Sequence, residues 1–401
     1  MSFRGLRVID LSMGWAGPLV SFVLAQLGAE VIKVEARQHF DWWRGPHPRD
    51  AARAADGTVI PYVYEMAAVY NSVNRHKQGV TLNLTTAAGR AALLDLVRVS
   101  DVLVENFTPH AMAALDLAYP TLATANPQLV MLSMPAFGST GPERDYIGYG
   151  MTIEAMSGMT ALTGYRDGPP QMMANAYGDP VSGLNGAVAA MIALRARERT
   201  GRGRHVEIAQ VEGFIPLVAG ALLDQQMNRR DGRRAGNRHS SMAPHGVYPC
   251  LAAEEGADAW IAIAVGSDAA WAALSDTIGR PDLATDPRFA DVVSRKHNED
   301  AIDPTIATWT RERSREEALT ALRAAGVPTA PVQTSAGLLS DVQLAARAFF
   351  TVVDRAHVGA HPYPDLPFRV EPATERDPLP APCLGEHSDA VLCGLLGMAA
   401  T

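Results

Sequence analysis

A chain of 401 residues, 47% hydrophobic and 19% charged, is longer than one hydrophobic core usually supports and too apolar to remain disordered. Its net charge of −8 and pI near 5.8 exclude nucleic acid as a bulk partner, because affinity for a phosphate backbone rests on clustered Lys and Arg. Three cysteines, Cys250, Cys383 and Cys393, an odd number without metal or redox spacing, fit a reducing, cytoplasmic setting with no metal centre.

The first residues, MSFRGLRVIDLS, place Arg4, Arg7 and Asp10 where a signal peptide would need an unbroken apolar stretch. Apolar runs such as 213–223 fall far short of the roughly 20 residues of a bilayer span, so no membrane association is expected. Residues 6–11 form an aliphatic, β-branched run, followed by the Gly17-Pro18 turn, a helical stretch to Leu27 and a second run at 31–34, which is one βαβ unit. The pattern recurs with strands at 80–84, 102–104 and 129–134 and helices at 87–99 and 111–115, predicting a parallel sheet with helices on both faces. A Gly-, Met- and Tyr-rich stretch follows Gly141-Pro142. Next come a long helix opening at Asp179-Pro180 and running to Arg199, a strand at 205–208 and a helix at 212–227. The Arg-rich segment 228–245 has the composition of a crossing between domains. Beyond it lie a strand at 260–265, helices near 269–278 and 315–325, an extended stretch at 327–332, and a loop-rich tail from about 339 that ends in a helix from His387.

The first βαβ unit puts Glu35 where a ribose-binding acid would sit. Its turn, Met13-Gly-Trp-Ala-Gly-Pro, nevertheless lacks the three-glycine spacing that lets a backbone wrap a pyrophosphate. Pro18 as a first helical residue accounts for the Gly-Pro pair equally well. Asp179, in Tyr177-Gly-Asp-Pro-Val-Ser-Gly, has two compatible roles open to it. It can serve as the N-cap of the long helix, or as a carboxylate held ionised by the helix N-terminus and, beside bulk-free Gly178, able to reach a thioester carbonyl.

Several segments in order carry a resemblance. They are Gly5-Leu-Arg-Val-Ile-Asp-Leu-Ser, Ala16-Gly-Pro, Leu24-Ala-Gln-Leu-Gly-Ala-Glu-Val-Ile-Lys-Val-Glu, Asn74-Arg-His-Lys, Asp101-Val-Leu-Val-Glu-Asn-Phe-Thr-Pro and Phe137-Gly-Ser-Thr-Gly-Pro. Further along come Met156-Ser-Gly-Met, Thr163-Gly-Tyr-Arg-Asp-Gly-Pro-Pro, Gly178-Asp179, Thr200-Gly-Arg-Gly, Ala243-Pro-His-Gly-Val-Tyr and Leu384-Gly-Glu-His. The ordered set resembles the family III CoA-transferases (the CaiB/BaiF family) across almost the whole chain.

The resemblance implies a large Rossmann-like, parallel-sheet α/β domain built from residues 1–223 and 335–401, and a smaller α/β domain within residues 224–334. It also implies an interlocked homodimer, for which the Arg-rich segment 228–238 is a candidate connection. Coenzyme A and its acyl thioesters enter as substrates with a carboxylic acid acceptor, and no cofactor is bound permanently. At the position of Asp179 the family's carboxylate forms an acyl anhydride and then a thioester with CoA. Matching positions for CoA binding are Asn74, Lys77, Asn106, Phe107 and Tyr149, with Arg37 a neighbouring basic candidate. Cationic side chains suit the phosphates, and Phe107 suits the adenine or the pantetheine arm.

Departures from the oxalate-directed branch are Trp15 in place of a Gln, Ala114 in place of an Arg, and Arg238-His-Ser-Ser-Met in place of a glycine run. These argue against oxalate and formate, and Trp15 with Met172, Met173 and Met242 points to a larger, apolar acyl group. The related α-methylacyl-CoA racemases need a second base in the region of Gly148-Tyr149-Gly150-Met151, which offers only Tyr149 as a titratable group. A non-catalytic acyl-CoA-binding subunit is the third alternative, and the retained Gly178-Asp179 pair argues against it.

Overall fold

The computed structural model describes residues 3–46, 60–173, 176–252, 258–370 and 377–399. Two compact units divide the chain: Met1–Thr160, Met172–Asp231 and Ala345–Thr401 form the first, and Ala161–Gln171 with Gly232–Leu344 form the second.

The first unit is organised by a six-stranded parallel sheet of order β3-β2-β1-β4-β5-β6. Its strands are β1 (Arg7–Asp10), β2 (Glu30–Glu35), β3 (Lys77–Thr81), β4 (Val102–Glu105), β5 (Val130–Ser133) and β6 (Arg204–Glu207). The central strands β1, β4 and β5 carry aliphatic residues on both faces because helices cover both sides of the sheet. On one face the Ala16–Gln26 and Gly178–Thr200 helices pack Val20, Val23, Ala187 and Ala190 against Val8, Val102 and Val130. On the other, Leu93 and Leu96 of the Ala87–Arg98 helix meet Ile9, Ile32, Leu103 and Met131. Strand order reverses between β1 and β4, and at such a switch point the connecting loops splay apart and leave a crevice outside the strands' carboxyl ends.

The Gly178–Thr200 helix lies close to its neighbours because its inward face is nearly bare. A Cβ on Gly183 would sit 2.7 Å from the Ala16 carbonyl oxygen, and one on Gly186 2.7 Å from the Val20 side chain.

Several elements differ from expectation. The third strand starts at Lys77 rather than 80, because the Lys77 ammonium finds a buried carboxylate partner and the chain can therefore pair from that point. The helix expected over 212–227 is broken into Gln210–Phe214, a 3₁₀ turn at Ile215–Val218 and Ala219–Asn228; Pro216, without an N–H and with its ring against the preceding turn, disfavours a continuous α-helix at that point.

The second unit carries an antiparallel sheet of order β7-β8-β9, made of β7 (His245–Pro249), β8 (Trp260–Ala264) and β9 (Thr329–Pro331). The Asp268–Thr277, Glu299–Arg311 and Arg315–Ala324 helices close its core around Ile261, Ile263, Trp271, Ile306 and Leu322. The tail, expected as loop, forms the hairpin of β10 (Phe350–Arg355) and β11 (Gly359–Pro364), and the terminal helix is a π-helical segment over Ala390–Leu395. No helix among the described residues is long and apolar enough to cross a membrane.

Candidate active site

Outside the carboxyl ends of β1 to β4 lies a cleft of about 580 Å³, lined by Met13, Gln38, His39, Asn83, Thr85 and Phe107 among others. Parallel strands deliver these residues together because each βα turn leaves the sheet on the same edge. Phe107 is set by Glu105, whose carboxylate accepts the Phe107 N–H at 2.8 Å. Burial pushes the Glu105 carboxyl up to about 7, while the Ser133 hydroxyl and the Phe107 N–H act in the opposite direction.

Of the residues expected to meet CoA, only Phe107 lines the cleft, and exposed Arg37 lies between the lining residues Ala36 and Gln38. Lys77 and Asn74 are corrected to a buried role. The Lys77 ammonium donates to Asp10 Oδ2 at 2.9 Å, to the Pro18 carbonyl at 2.9 Å and to Asn74 Oδ1 at 2.7 Å, so its three hydrogens are spent. Neither Lys77 nor Asn74 can reach a phosphate from there. Asn106 is also turned inward: its carboxamide accepts the Met13 N–H at 2.9 Å and donates to the Met13 carbonyl at 2.8 Å, bracing the β1 loop.

Asp10 is the centre of this buried system. Burial opposes its charge, but the Lys33 and Lys77 ammoniums and the hydroxyls of Ser12 and Ser21 outweigh that and hold the carboxyl well below the usual range. Lys33 also bonds the Ser12 carbonyl at 2.7 Å and pairs with Asp41 at 3.0 Å. Burial pulls Lys77 down to about 8. Glu35, which sequence position alone would offer to a ribose, pairs instead with Arg44 at 2.8 Å and sets the turn at residues 42–44.

Asp179 is the second residue of the Gly178–Thr200 helix, not its cap: the N-cap is Tyr177, and the Asp179 side chain makes no capping bond. Among the described residues its carboxylate has no hydrogen-bond partner, and it is only partly exposed. Burial first, and the nearby Glu154 carboxylate second, raise its carboxyl to about 7. Gly178, the residue before it, is held tightly, since a Cβ there would lie 2.8 Å from the Gly150 carbonyl and 3.0 Å from Ile153.

Glu154, on the Gly150–Met156 helix, escaped sequence reasoning. It is fully buried and accepts the backbone N–H of Met173 at 3.0 Å and of Tyr177 at 2.6 Å, fastening the segment that leads into Asp179. The available signal was a lone carboxylate inside the apolar run Met151-Thr-Ile-Glu-Ala-Met. Tyr149, which caps the same helix, is exposed and stands edge-on to Trp42, with ring centres 5.9 Å apart.

A parallel α/β sheet with a ligand-sized crevice at its switch point, and a carboxylate without a hydrogen-bond partner among the described residues heading the helix beside β1's loop, suits an enzyme of the group-transfer class. A model of CoA-transferase family III matches residues 3–388, and the chain belongs to that family. It is similar to the acetyl-CoA:oxalate CoA-transferase of Acetobacter aceti, with 36% identity over 86% of this chain and 84% of that one. Similarity to the succinyl-CoA–D-citramalate CoA-transferase of Chloroflexus aurantiacus is 32% identity over 98% and 94%. The crystal structure of a CaiB/BaiF family protein from Brucella suis superposes with a TM-score of 0.85 at 32% identity, covering 98% of this chain and 99% of that one.

Proposed function

We propose that this family III CoA-transferase moves CoA from an acyl thioester to a carboxylic acid through covalent intermediates on Asp179. An Asp179 oxygen attacks the thioester carbonyl, the C–S bond breaks, and CoA leaves as thiolate with an acyl-aspartyl anhydride behind it. Attack by the thiolate on the Asp179 carbonyl carbon then releases the donor acid and leaves an aspartyl-CoA thioester. The acceptor carboxylate displaces CoA to form a second anhydride, and the thiolate recaptures the acyl group, restoring the Asp179 carboxylate. The single observation that carries this is a partly buried carboxylate at a helix N-terminus that has no hydrogen-bond partner among the described residues. Such an oxygen keeps its lone pairs for carbon.

On this reading the nucleotide of CoA would occupy the cleft lined by Phe107, Gln38 and His39, with the pantetheine arm passing Met13, a lining that supports such a fit. The loop from Met13 to Ala16 joins the two places, since the Ala16 carbonyl abuts Gly183 on the face of the helix that also carries Asp179, four residues earlier. Two-base racemisation finds no support, because Glu154 is sealed and spent on backbone N–H groups. The relatives' names couple CoA to oxalate and D-citramalate, so a carboxylic acid acceptor is part of the reading. So is a homodimer in the cytoplasm: Leu184, Val188 and Ile192 make an exposed apolar stripe at helical spacing, 50%, 52% and 65% open, on the Gly178–Thr200 helix.

The test is to mix the protein with a panel of acyl-CoAs, quench, and analyse peptides by mass. An acyl or CoA adduct on the Asp179 peptide, absent from Asp179→Ala, is expected; equal turnover by that variant would refute the assignment.

A further inference from the structure

Around the head of the Gly178–Thr200 helix stands an aromatic wall. Trp15 and Trp43 have ring centres 5.2 Å apart, Trp42 meets Trp43 edge-on at 5.8 Å, and Tyr149 meets Trp42 edge-on at 5.9 Å. Trp42 and Tyr149 keep 49% and 59% of their surface open, although apolar rings of this size are usually covered.

The wall is built on rigid supports. The Asp41 carboxylate accepts the N–H of Gly14 at 3.0 Å and of Trp43 at 3.0 Å, tying together the two turns that bear the tryptophans. Lys33, fully buried, anchors Asp41 at 3.0 Å. Gly14, at φ +76°, lies so close under Trp42 that a Cβ there would sit 2.6 Å from the indole ring. That glycine is needed both for the left-handed turn and for the ring's resting place.

Two contacts put the wall beside Asp179. Trp15 precedes Ala16, whose carbonyl abuts Gly183 on Asp179's face of the helix, and Tyr149 precedes Gly150, whose carbonyl abuts Gly178. Charge points the same way. Among the described residues, the charged side chain whose field reaches Asp179 is Glu154, a carboxylate. A dicarboxylic acid would bring its second carboxylate towards a negative group and flat aromatic rings, and among the described residues no cation acts on Asp179 to receive it.

Resting on the assignment of Asp179 as nucleophile, we propose that the acyl group transferred carries an aromatic or bulky apolar substituent seated against Trp15, Trp42, Trp43 and Tyr149. The inference departs from the small dicarboxylic acids in the relatives' names.

The experiment follows the first half-reaction on the full-length protein, with no acceptor present. Rates of adduct formation on the Asp179 peptide are compared for 3-phenylpropionyl-CoA, acetyl-CoA, succinyl-CoA and a trimethylammonio-acyl-CoA, in the native protein and in Trp42→Leu and Tyr149→Leu. The phenylpropionyl thioester is expected to react roughly 10- to 100-fold faster than the succinyl one, the range that filling or leaving an apolar pocket gives. Each variant is expected to shrink that ratio; Tyr149→Leu keeps the test open if loss of Trp42 disturbs the Gly14 turn. Succinyl-CoA reacting as fast as phenylpropionyl-CoA, the cationic thioester outpacing both, or a ratio unmoved in both variants overturns the substrate class while the covalent mechanism stands. Absence of any adduct on Asp179 with every thioester overturns the mechanism itself.

Discussion

Replacing Asp179 with Asn is expected to stabilise the protein, and to do so only where the native carboxylate would be ionised. The folded chain raises this carboxyl from 3.8 to about 7. About three units correspond to about 4 kcal/mol. Solvent at the partly exposed carboxylate screens the effect, and roughly 2 kcal/mol is the figure to test. The sign follows from proton binding. Below pH 3.8 both folded and unfolded chains hold the proton, and the group's favourable contribution is fully present. As pH rises towards 7 the unfolded chain releases its proton first, so the contribution is lost, and above 7 the folded protein carries an unpaired, poorly hydrated charge. Asn has nearly the same shape and no charge at any pH. At about 2 °C per kcal/mol, the melting point of Asp179→Asn should match the native protein at pH 4 and exceed it by about 4 °C at pH 8. Glu105, which also titrates near 7, is common to both proteins and cancels in the comparison. Calorimetric scans of the two proteins at each pH give the difference directly. An advantage independent of pH, or a variant less stable than the native protein at pH 8, would refute the picture of a buried, unpaired nucleophile.

Other expectations concern the supports of the site. Initial rates should rise with pH to a half-maximum near about 7, as Asp179 loses its proton, and Glu154→Gln should move that midpoint downward because the second cause of the elevated value is gone; a midpoint that stays or rises would clear Glu154 of the role. Lys77→Met leaves the buried Asp10 with its serine donors and, 4.0 Å away, Lys33 as its remaining cation, and should lower stability by about 3–5 kcal/mol in a denaturant titration. A direct phosphate contact by Lys77 would instead raise KM for acyl-CoA and leave the titration midpoint in place. Gly183→Ala forces a methyl to within 2.7 Å of the Ala16 carbonyl, and relieving that contact by a shift of roughly 1 Å should cut kcat about 100-fold with little change in KM.

The parallel sheet was readable because short aliphatic runs recur with helical stretches between them, and β1, β2, β4 and β5 fall where those runs lie. Elements whose residues obey tertiary rather than local preferences were hidden. β7, His-Gly-Val-Tyr-Pro, contains Gly and Pro and forms through its ladder to β8; the Glu299–Arg311 helix carries Pro304 and few apolar residues, and it is held by Ile302 and Ile306 in the second core. At the site, a residue type announces what it can do but not which way it faces. Lys77 and Asn106 are apt partners for a phosphate or an adenine, yet one faces an aspartate beneath the sheet edge and the other a backbone. Glu154 was overlooked for the converse reason, because nothing in its neighbours announces that two backbone N–H groups converge on it.

The bare inward face of the Gly178–Thr200 helix fixes where the head of that helix can stand. With Gly183 and Gly186 already at closest approach to Ala16 and Val20, that face has no room for a larger residue, so the backbone that carries Asp179 is held in one place. Any change in the room beside Asp179 must therefore come from side chains on the short turns that bear Trp15 and Trp42, and not from the helix itself.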